Sequence, residues 1–200
     1  MDAAGLVTEV RALTGAALEA ALDAVAALRI RVFRDWPYRY DGDAAYERAY
    51  LQTYRDSPRA ILVGAFDGGR LVGAATGTPL SDHAEDFAKA FAGTDRALEE
   101  VFYCAESVLL PTYRGQGIGH RFFDLREEHA RALGFRYCAF CAVVRPGDHP
   151  LRPAGCRPLD AFWRGRGYAP LPGVVAEFGW TDVDRAAETA KPLQFWGRRL

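Results

Sequence analysis

The chain of 200 residues is half hydrophobic, enough for one substantial core and hence for one domain over residues 1–200. Its 25 Lys and Arg against 26 Asp and Glu leave a net charge of -1, which excludes a general field for nucleic acid or an anionic membrane and makes any phosphate site local. No apolar run approaches the roughly 20 residues of a membrane span, and the amino terminus, with Asp2 and Glu9 among alanines, lacks the basic and apolar regions of a signal peptide, so the expected location is the cytoplasm.

In chain order, Val7 to Leu13 reads as a first strand. Ala16 to Phe33 reads as a helix, with Leu18, Leu22, Val25, Ala26 and Val32 at helical spacing, Thr14 as its cap and Pro37 beyond its end. The loop Arg34 to Gly42 carries Trp36, Tyr38 and Tyr40. A second helix is expected from Ala44 to Asp56, capped by Asp43, with Tyr46, Ala49, Tyr50 and Tyr54 as a core stripe. Ala60 to Phe66 and Arg70 to Gly77 flank Asp67-Gly68-Gly69, a hairpin signal. Ser81 to Phe91 reads as a short helix capped by Asp82, and Val101 to Leu110 as a strand ending at Pro111.

Ile118 to Leu133 has the most regular helical pattern, with Ile118, Phe122, Leu125 and Leu133 on one face and Gly134 closing it. The strand Arg136 to Val144 follows, then a Pro-, Gly- and Arg-rich loop to Pro158 and a short helix, Leu159 to Arg166. Val174 to Trp180 and Leu193 to Trp196 are the last strands, joined by the polar stretch Asp182 to Lys191. A strand, helix, strand unit embedded among hairpins implies an α/β fold, a mixed sheet with helices on both faces. Cys138 and Cys141 form a C-x-x-C pair, but on a strand a separation of three sends the side chains to opposite faces, so a structural role is expected and no metal site.

The chemistry concentrates in Val108 to His120, where a strand runs into a glycine-rich turn and directly into a helix. Gly115, Gly117 and Gly119 let the backbone approach a ligand, and the unpaired N–H groups of the first helical turn, with the helix dipole, make a phosphate cradle. His120 and Arg121 occupy that first turn, where positive charge costs about 0.3–1 kcal/mol unless an anion sits there. A P-loop is ruled out because no lysine follows the glycines, and the dinucleotide fingerprint because His120 and Phe122 fall where its third glycine belongs.

On these residues the chain resembles the GNAT superfamily of acyl-CoA-dependent N-acyltransferases, whose signature Gln/Arg-x-x-Gly-x-Gly/Ala is met by Arg114, Gly117 and Gly119. The order of elements is similar over most of the chain, which implies a mostly antiparallel twisted sheet. The resemblance implies acetyl-CoA as co-substrate, its pantetheine arm along Ser107, Val108 and Leu109 and its pyrophosphate on the amides of Arg114, Gly115, Gln116, Gly117, Ile118, Gly119 and His120. It implies direct attack of an amine, from a small molecule or peptide, on the thioester, with no metal, and an acceptor pocket formed by Trp36, Tyr38 and Tyr40.

A protonated amine needs a base, and Glu106, a charged residue in an apolar strand, is the candidate, with Tyr103 as backup. Strand alternation places Glu106 on the wrong face unless a bulge turns it. Where the family carries a tyrosine that protonates the thiolate this chain has Trp163, and Cys156 stands where an asparagine is common. That departure keeps a non-catalytic acyl-CoA-binding module as the alternative. The arginines 145, 152, 157, 164 and 166 are interrupted by Asp148 and Asp160, which points to a solvated surface or a clamp on the cofactor's ribose phosphate rather than nucleic-acid binding. Asp35, Asp41, Asp82 and Glu85 flank the expected entrance for a cationic amine, and the apolar closing strand Leu193 to Trp196 can pair across a homodimer.

Overall fold

The computed structural model describes Leu6, Val7 and residues 9–200, so Asp2 and Thr8 lie outside the described residues. Its strands are β1 (Glu9–Leu13), β2 (Ile61–Asp67), β3 (Arg70–Pro79), β4 (Val101–Tyr103), β5 (Ser107–Leu109), β6 (Tyr137–Val143), β7 (Ala169–Thr181) and β8 (Glu188–Arg199). Its helices are α1 (Gly15–Glu19), α2 (Leu22–Phe33), α3 (Ala44–Asp56), α4 (Ala84–Phe91), α5 (Ile118–Ala132) and α6 (Asp160–Gly165). The strands form one sheet in the order β1-β2-β3-β4-β6-β8-β7, with β5 beside β3. Among the described residues, only the β4–β6 pairing is parallel.

Neighbouring residues of β4 show the two covered faces. Phe102 packs on His129 of α5 and on Phe135, whereas the next side chain, Tyr103, packs on Phe87 of α4. Tyr50 and Tyr54 of α3 meet His83 on the α4 side, and Phe162 of α6 meets Phe123 on the α5 side. The hairpin turn forms as expected, with Gly68 and Gly69 at φ 55° and 84°, a left-handed backbone that matches the twist of paired strands.

Several expected elements change on folding. The first helix breaks at Ala20–Ala21, so α1 packs on α3 and α2 on β3, burying both Leu18 and Val25; Thr14 precedes it without a side-chain cap bond. Asp43 does cap α3, accepting from the Tyr46 N–H at 2.8 Å. The buried face of α3 is Glu47, Leu51 and Tyr54, leaving Tyr46 and Ala49 exposed. Asp82 caps nothing: its Oδ2 accepts from Ser57 Oγ at 2.6 Å and Thr78 Oγ1 at 2.8 Å, and α4 starts at Ala84 after a 3-10 turn, Leu80–His83.

β7 and β8 are much longer than their apolar cores, because pairing along Val175–Thr181 and Glu188–Gln194 imposes extended backbone on polar residues. The expected closing strand, Leu193 to Trp196 of β8, lies between β6 and β7, so both its edges are already hydrogen-bonded and pairing across a dimer is closed to it; the outer strands are β1 and β7.

The decisive feature is the interruption of the expected strand Val101–Leu110. Thr76 of β3 faces two residues at once: its carbonyl accepts from the Ala105 N–H at 3.1 Å, and its N–H donates to the Glu106 carbonyl at 3.2 Å. One extra residue on one strand is a β-bulge. β4 ends there, having paired with β6 only along Val101–Tyr103, and β5 continues on β3 alone. Beyond Ala139, β6 pairs only with β8, so the sheet opens between β5 and β6.

Candidate functional site

The opening is a cleft of about 1050 Å³. Glu106, Ser107 and Leu109 line one wall, Phe140 to Val143 the other, and Arg114 to His120, without Gln116, its base. Ladder alternation turns the N–H and C=O of Ser107 and Leu109 away from β3 and into the cleft, since the Glu106 carbonyl and the Leu110 N–H are the groups bonded to β3. Val108, expected to act with them, faces the other way: its side chain is fully buried and its backbone belongs to the β3 ladder. Gln116 likewise turns out of the cleft, its Oε1 accepting from the Val7 N–H at 3.3 Å.

The base of the cleft is a helix N-terminus. Gly117 precedes α5 in the left-handed region, φ 75°, and Gly115 has φ 81°, so both positions favour glycine on backbone grounds. A Cβ at either would meet open space, and one at Gly119 would meet only Phe162, at 3.5 Å. The space beside these glycines is therefore free of nearby protein atoms; of the first-turn amides the His120 N–H donates to the Gly117 carbonyl at 3.0 Å, which leaves those of Ile118 and Gly119 as donors of the kind that binds anions at a helix N-terminus. Arg114 is tied to the strand by Nε donating to the Leu109 carbonyl at 3.4 Å. His120 is held by Arg166, whose Nη1 lies 3.2 Å from its Nδ1.

A second cavity, of about 100 Å³, meets the cleft at Phe33, Tyr38, Ala105, Glu106 and Cys141, which line both. Its walls are mainly aromatic, including Tyr40, Tyr50, Phe87, Tyr103, Phe178 and Trp180. Tyr38 and Tyr40, two of the residues expected to form an acceptor pocket, are among its lining. Trp36 is not: it lines the larger cleft, its ring 5.1 Å from that of His149. The expected acidic rim is also displaced, for Asp41 pairs with Arg34, Asp82 is bonded to Ser57 and Thr78, and Asp86 is the carboxylate that lines the cavity besides Glu106.

The bulge carries Glu106 round to this cavity. Its Oε2 accepts from Arg29 Nη1 at 2.8 Å and from the Tyr50 hydroxyl at 3.1 Å, while Oε1, also buried, has no partner among the described residues. Arg29 in turn bonds Glu47 through Nε and stacks over Tyr50 at 4.2 Å. Burial works against the Arg29 charge, but Glu106, Tyr50 and Glu47 outweigh it and raise its pKa well above the ordinary value. One guanidinium thus serves two buried carboxyl groups. Tyr103 is buried with its hydroxyl 3.3 Å from Cys141 Sγ, and burial, then Cys141, raises its pKa well above 10.

Sequence reasoning missed Arg29, Tyr50, His83 and Arg126. Arg29 had a signal, since it lies four residues beyond Val25 on the buried face of α2, where an unpaired cation cannot sit. Arg126 had the same signal on α5. It is fully buried with no carboxylate within 4.0 Å among the described residues, and donates instead to the carbonyls of Phe122, Thr76 and Glu106 and to Ser107 Oγ. It thereby holds the bulge and the first cleft-facing residue together.

Cys138 and Cys141 lie on opposite sides of β6, one in the core and one in the cavity. Trp163 lines the cleft against Phe140 and Trp196, at 5.0 and 5.1 Å, and Cys156 lines it as well. The arginine group disperses: Arg145 pairs with Asp182, Arg166 with Asp124 and Glu127, Arg164 lies over Trp196, and Arg152 and Arg157 line the cleft.

A sequence profile of the acetyltransferase (GNAT) family matches residues 24–153, while no curated protein matches the chain. Among solved structures, ribosomal-protein-alanine N-acetyltransferase from Brucella melitensis aligns at TM-score 0.61 and 16% identity over 96% of this chain and 99% of that one. A phosphinothricin acetyltransferase from Sinorhizobium meliloti, in complex with AcCoA, aligns at 0.56 and 18% over 98% and 89%. A polyamine N acetyltransferase from Drosophila melanogaster aligns at 0.58 and 12% over 96% and 100%. At such identities the likeness is one of fold.

Proposed function

We propose, from the premise that the chain belongs to the acetyltransferase (GNAT) family, that it transfers an acetyl group from acetyl-CoA to the primary amine of a small cationic molecule or the end of a peptide, held in the aromatic cavity. The observation that carries this reading is Glu106, a buried carboxylate with a free oxygen at the junction of cavity and cleft. An ammonium ion there meets the free oxygen of Glu106 and the faces of Tyr38, Tyr50 and Tyr103, both of which attract cations. The small volume of the cavity favours one alkyl or aryl arm over a bulky body.

On the other side of the junction, the amides of Gly117, Ile118 and Gly119 receive the pyrophosphate, with Arg114, Gly115 and His120 beside them, and Ser107 and Leu109 pair with the pantetheine arm. That arrangement brings the thioester to Ala105 and Glu106, where the Ser107 N–H can hold the oxyanion. Trp163 cannot donate a proton to the departing thiolate. Tyr38 lines both cavities and burial keeps its hydroxyl protonated, so it replaces the expected tyrosine; Tyr103, bonded to Cys141, serves as a wall.

Thiol release in the presence of a panel of primary amines tests the reading, together with calorimetry of acetyl-CoA. Amine-dependent release is expected, and Glu106→Gln is expected to raise KM for the amine about tenfold while leaving acetyl-CoA affinity unchanged. The presence of Trp163 favours the second reading, an acyl-CoA-binding module; tight acetyl-CoA binding without release for any amine would establish it.

A further inference from the structure

The acceptor nitrogen must shed a proton before its lone pair can attack, since an alkyl ammonium has a pKa of about 10. Glu106 already commits Oε2 to Arg29 and Tyr50. Another lining residue is uncommitted. His83 ends the 3-10 turn before α4, is 5% exposed, and its Nε2 is buried with no hydrogen-bond partner among the described residues. An unpartnered nitrogen in such a place is costly unless a donor visits it.

The surroundings of the ring fix its position. It packs edge-on against Tyr103 at 5.3 Å and in tilted contacts against Phe87, Tyr54 and Tyr50 at 5.8, 5.7 and 6.5 Å. Its Nδ1 lies 3.7 Å from Asp86 Oδ2, which favours the tautomer with the proton on Nδ1 and the lone pair on Nε2. The charged and titratable groups around it are Asp82 and Asp86 from its own segment, Tyr50 and Tyr54 from α3, Tyr103 and Glu106 from the split strand, Arg29 behind Glu106, and Cys141 behind Tyr103. Burial outweighs Asp86, Glu106 and Asp82 and lowers the pKa of His83 from 6.5. The ring is therefore neutral at neutral pH and able to accept.

We infer that His83 is the proton acceptor of the acceptor pocket, with Asp86 as its positioning residue. The inference rests on the transferase reading above. The bound R–NH3+ gives one proton to His83 Nε2, and its nitrogen then uses the freed lone pair to form the C–N bond to the thioester carbonyl carbon. The carbonyl electrons move to oxygen and return as the C–S bond breaks with its pair on sulfur. The second nitrogen proton ends on that thiolate, the third remains in the amide, and imidazolium returns its proton to solvent. Glu106 takes no part in the proton transfer and helps to hold the acceptor nitrogen at the junction.

The test is kcat/KM against pH for thiol release, with benzylamine, 2-phenylethylamine and butylamine as probes, and an NMR titration of 15N-histidine-labelled protein without acetyl-CoA. Wild type is expected to lose activity tenfold per pH unit below a midpoint under 6.5. His83→Gln is expected to lower kcat about 100-fold or more and to abolish that limb, with acetyl-CoA binding retained as proof of folding. Asp86→Asn, at a half-exposed site, keeps the limb but moves its midpoint to lower pH, because the carboxylate that favours imidazolium is gone; a merely structural role would not shift it. In the NMR titration, the resonance missing from His83→Gln titrates below 6.5, and amine lowers its midpoint further by bringing a cation to the ring. An active wild type whose acid limb survives unchanged in His83→Gln, or disappears in Glu106→Gln instead, overturns the assignment alone. A wild type that releases no thiol with any amine overturns the transferase reading and this assignment together.

Discussion

At the scale of single residues, Gly119 separates binding from stability more cleanly than its neighbour. Gly117 has φ 75°, so any side chain there costs about 1–2 kcal/mol of backbone strain and confuses the two effects. Gly119 lies within α5, and a Cβ added to it meets Phe162 at 3.5 Å, an ordinary contact. Gly119→Ala is therefore expected to stabilise the fold by up to about 1 kcal/mol, as alanine does in helices. The same methyl stands beside the first-turn amides proposed above to receive the pyrophosphate, so acetyl-CoA affinity is expected to fall at least tenfold. A melting curve and a calorimetric titration check the pair of effects, and a variant that gains stability and keeps its affinity would move the phosphate site elsewhere.

At the scale of elements, the bulge between β4 and β5 decides which way Glu106 faces, and Arg126 is the side chain that fastens it. Arg126→Met removes the donor to the Thr76 and Glu106 carbonyls, although each retains a backbone N–H, from Ala105 and Thr76. Removing the guanidinium also removes the cost of burying it, so the net loss is expected to be about 1–3 kcal/mol, a fall of a few degrees in Tm. The larger effect is expected in kcat, since Ser107 Oγ loses its bond to Arg126 and the cleft-facing backbone is released. Unchanged kcat with lowered Tm would make Arg126 a core residue only. The helix α5, the β2–β3 hairpin and the Asp43 cap were legible in the sequence because each is written in local periodicity or local turn chemistry. The bulge was legible only as a requirement, the condition for Glu106 to face inward. One extra residue opposite Thr76 leaves no trace in an apolar run, while its mark in the sequence, Arg126 on the buried face of α5, lies 20 residues away from Glu106. The tyrosines of α3 were assigned to the core by their spacing, and Tyr50 reaches the cavity because Glu106 and Arg29 hold its hydroxyl and ring there.

At the scale of the whole molecule, the cavity needs the loop Arg34–Gly42 from one half of the sheet to stay against β7 and β8 from the other. Arg145 makes that connection: it donates to the Pro37 and Tyr38 carbonyls and, through two nitrogens, to both oxygens of Asp182, 37 residues away. Lys191 adds a third cationic contact to Asp182 at 3.4 Å, and Trp180 Nε1 donates to the Tyr38 carbonyl. No local pattern announces such a clamp, which is why Arg145 reads from the sequence as one of a group on a solvated surface or on the cofactor's ribose phosphate. Burial alone would raise the pKa of Asp182, but Arg145 and then Lys191 outweigh it and hold it below the ordinary 3.8. A carboxylate with a depressed folded pKa stabilises the fold above the unfolded value, and that contribution disappears as pH falls through the folded one. Wild type is thus expected to lose Tm progressively below about pH 4, in part through Asp182. Asp182→Asn, which leaves Arg145 and Lys191 without their counter-charge, is expected to melt lower at pH 6 and to show a shallower decline below pH 4. Its KM for the amine is expected to rise as Tyr38 is freed, with acetyl-CoA affinity kept. Wild-type and variant melting curves that run parallel from pH 6 to pH 3 would show that the clamp carries no acid-labile stability, and an unaltered KM would show that Tyr38 is held in the cavity without it.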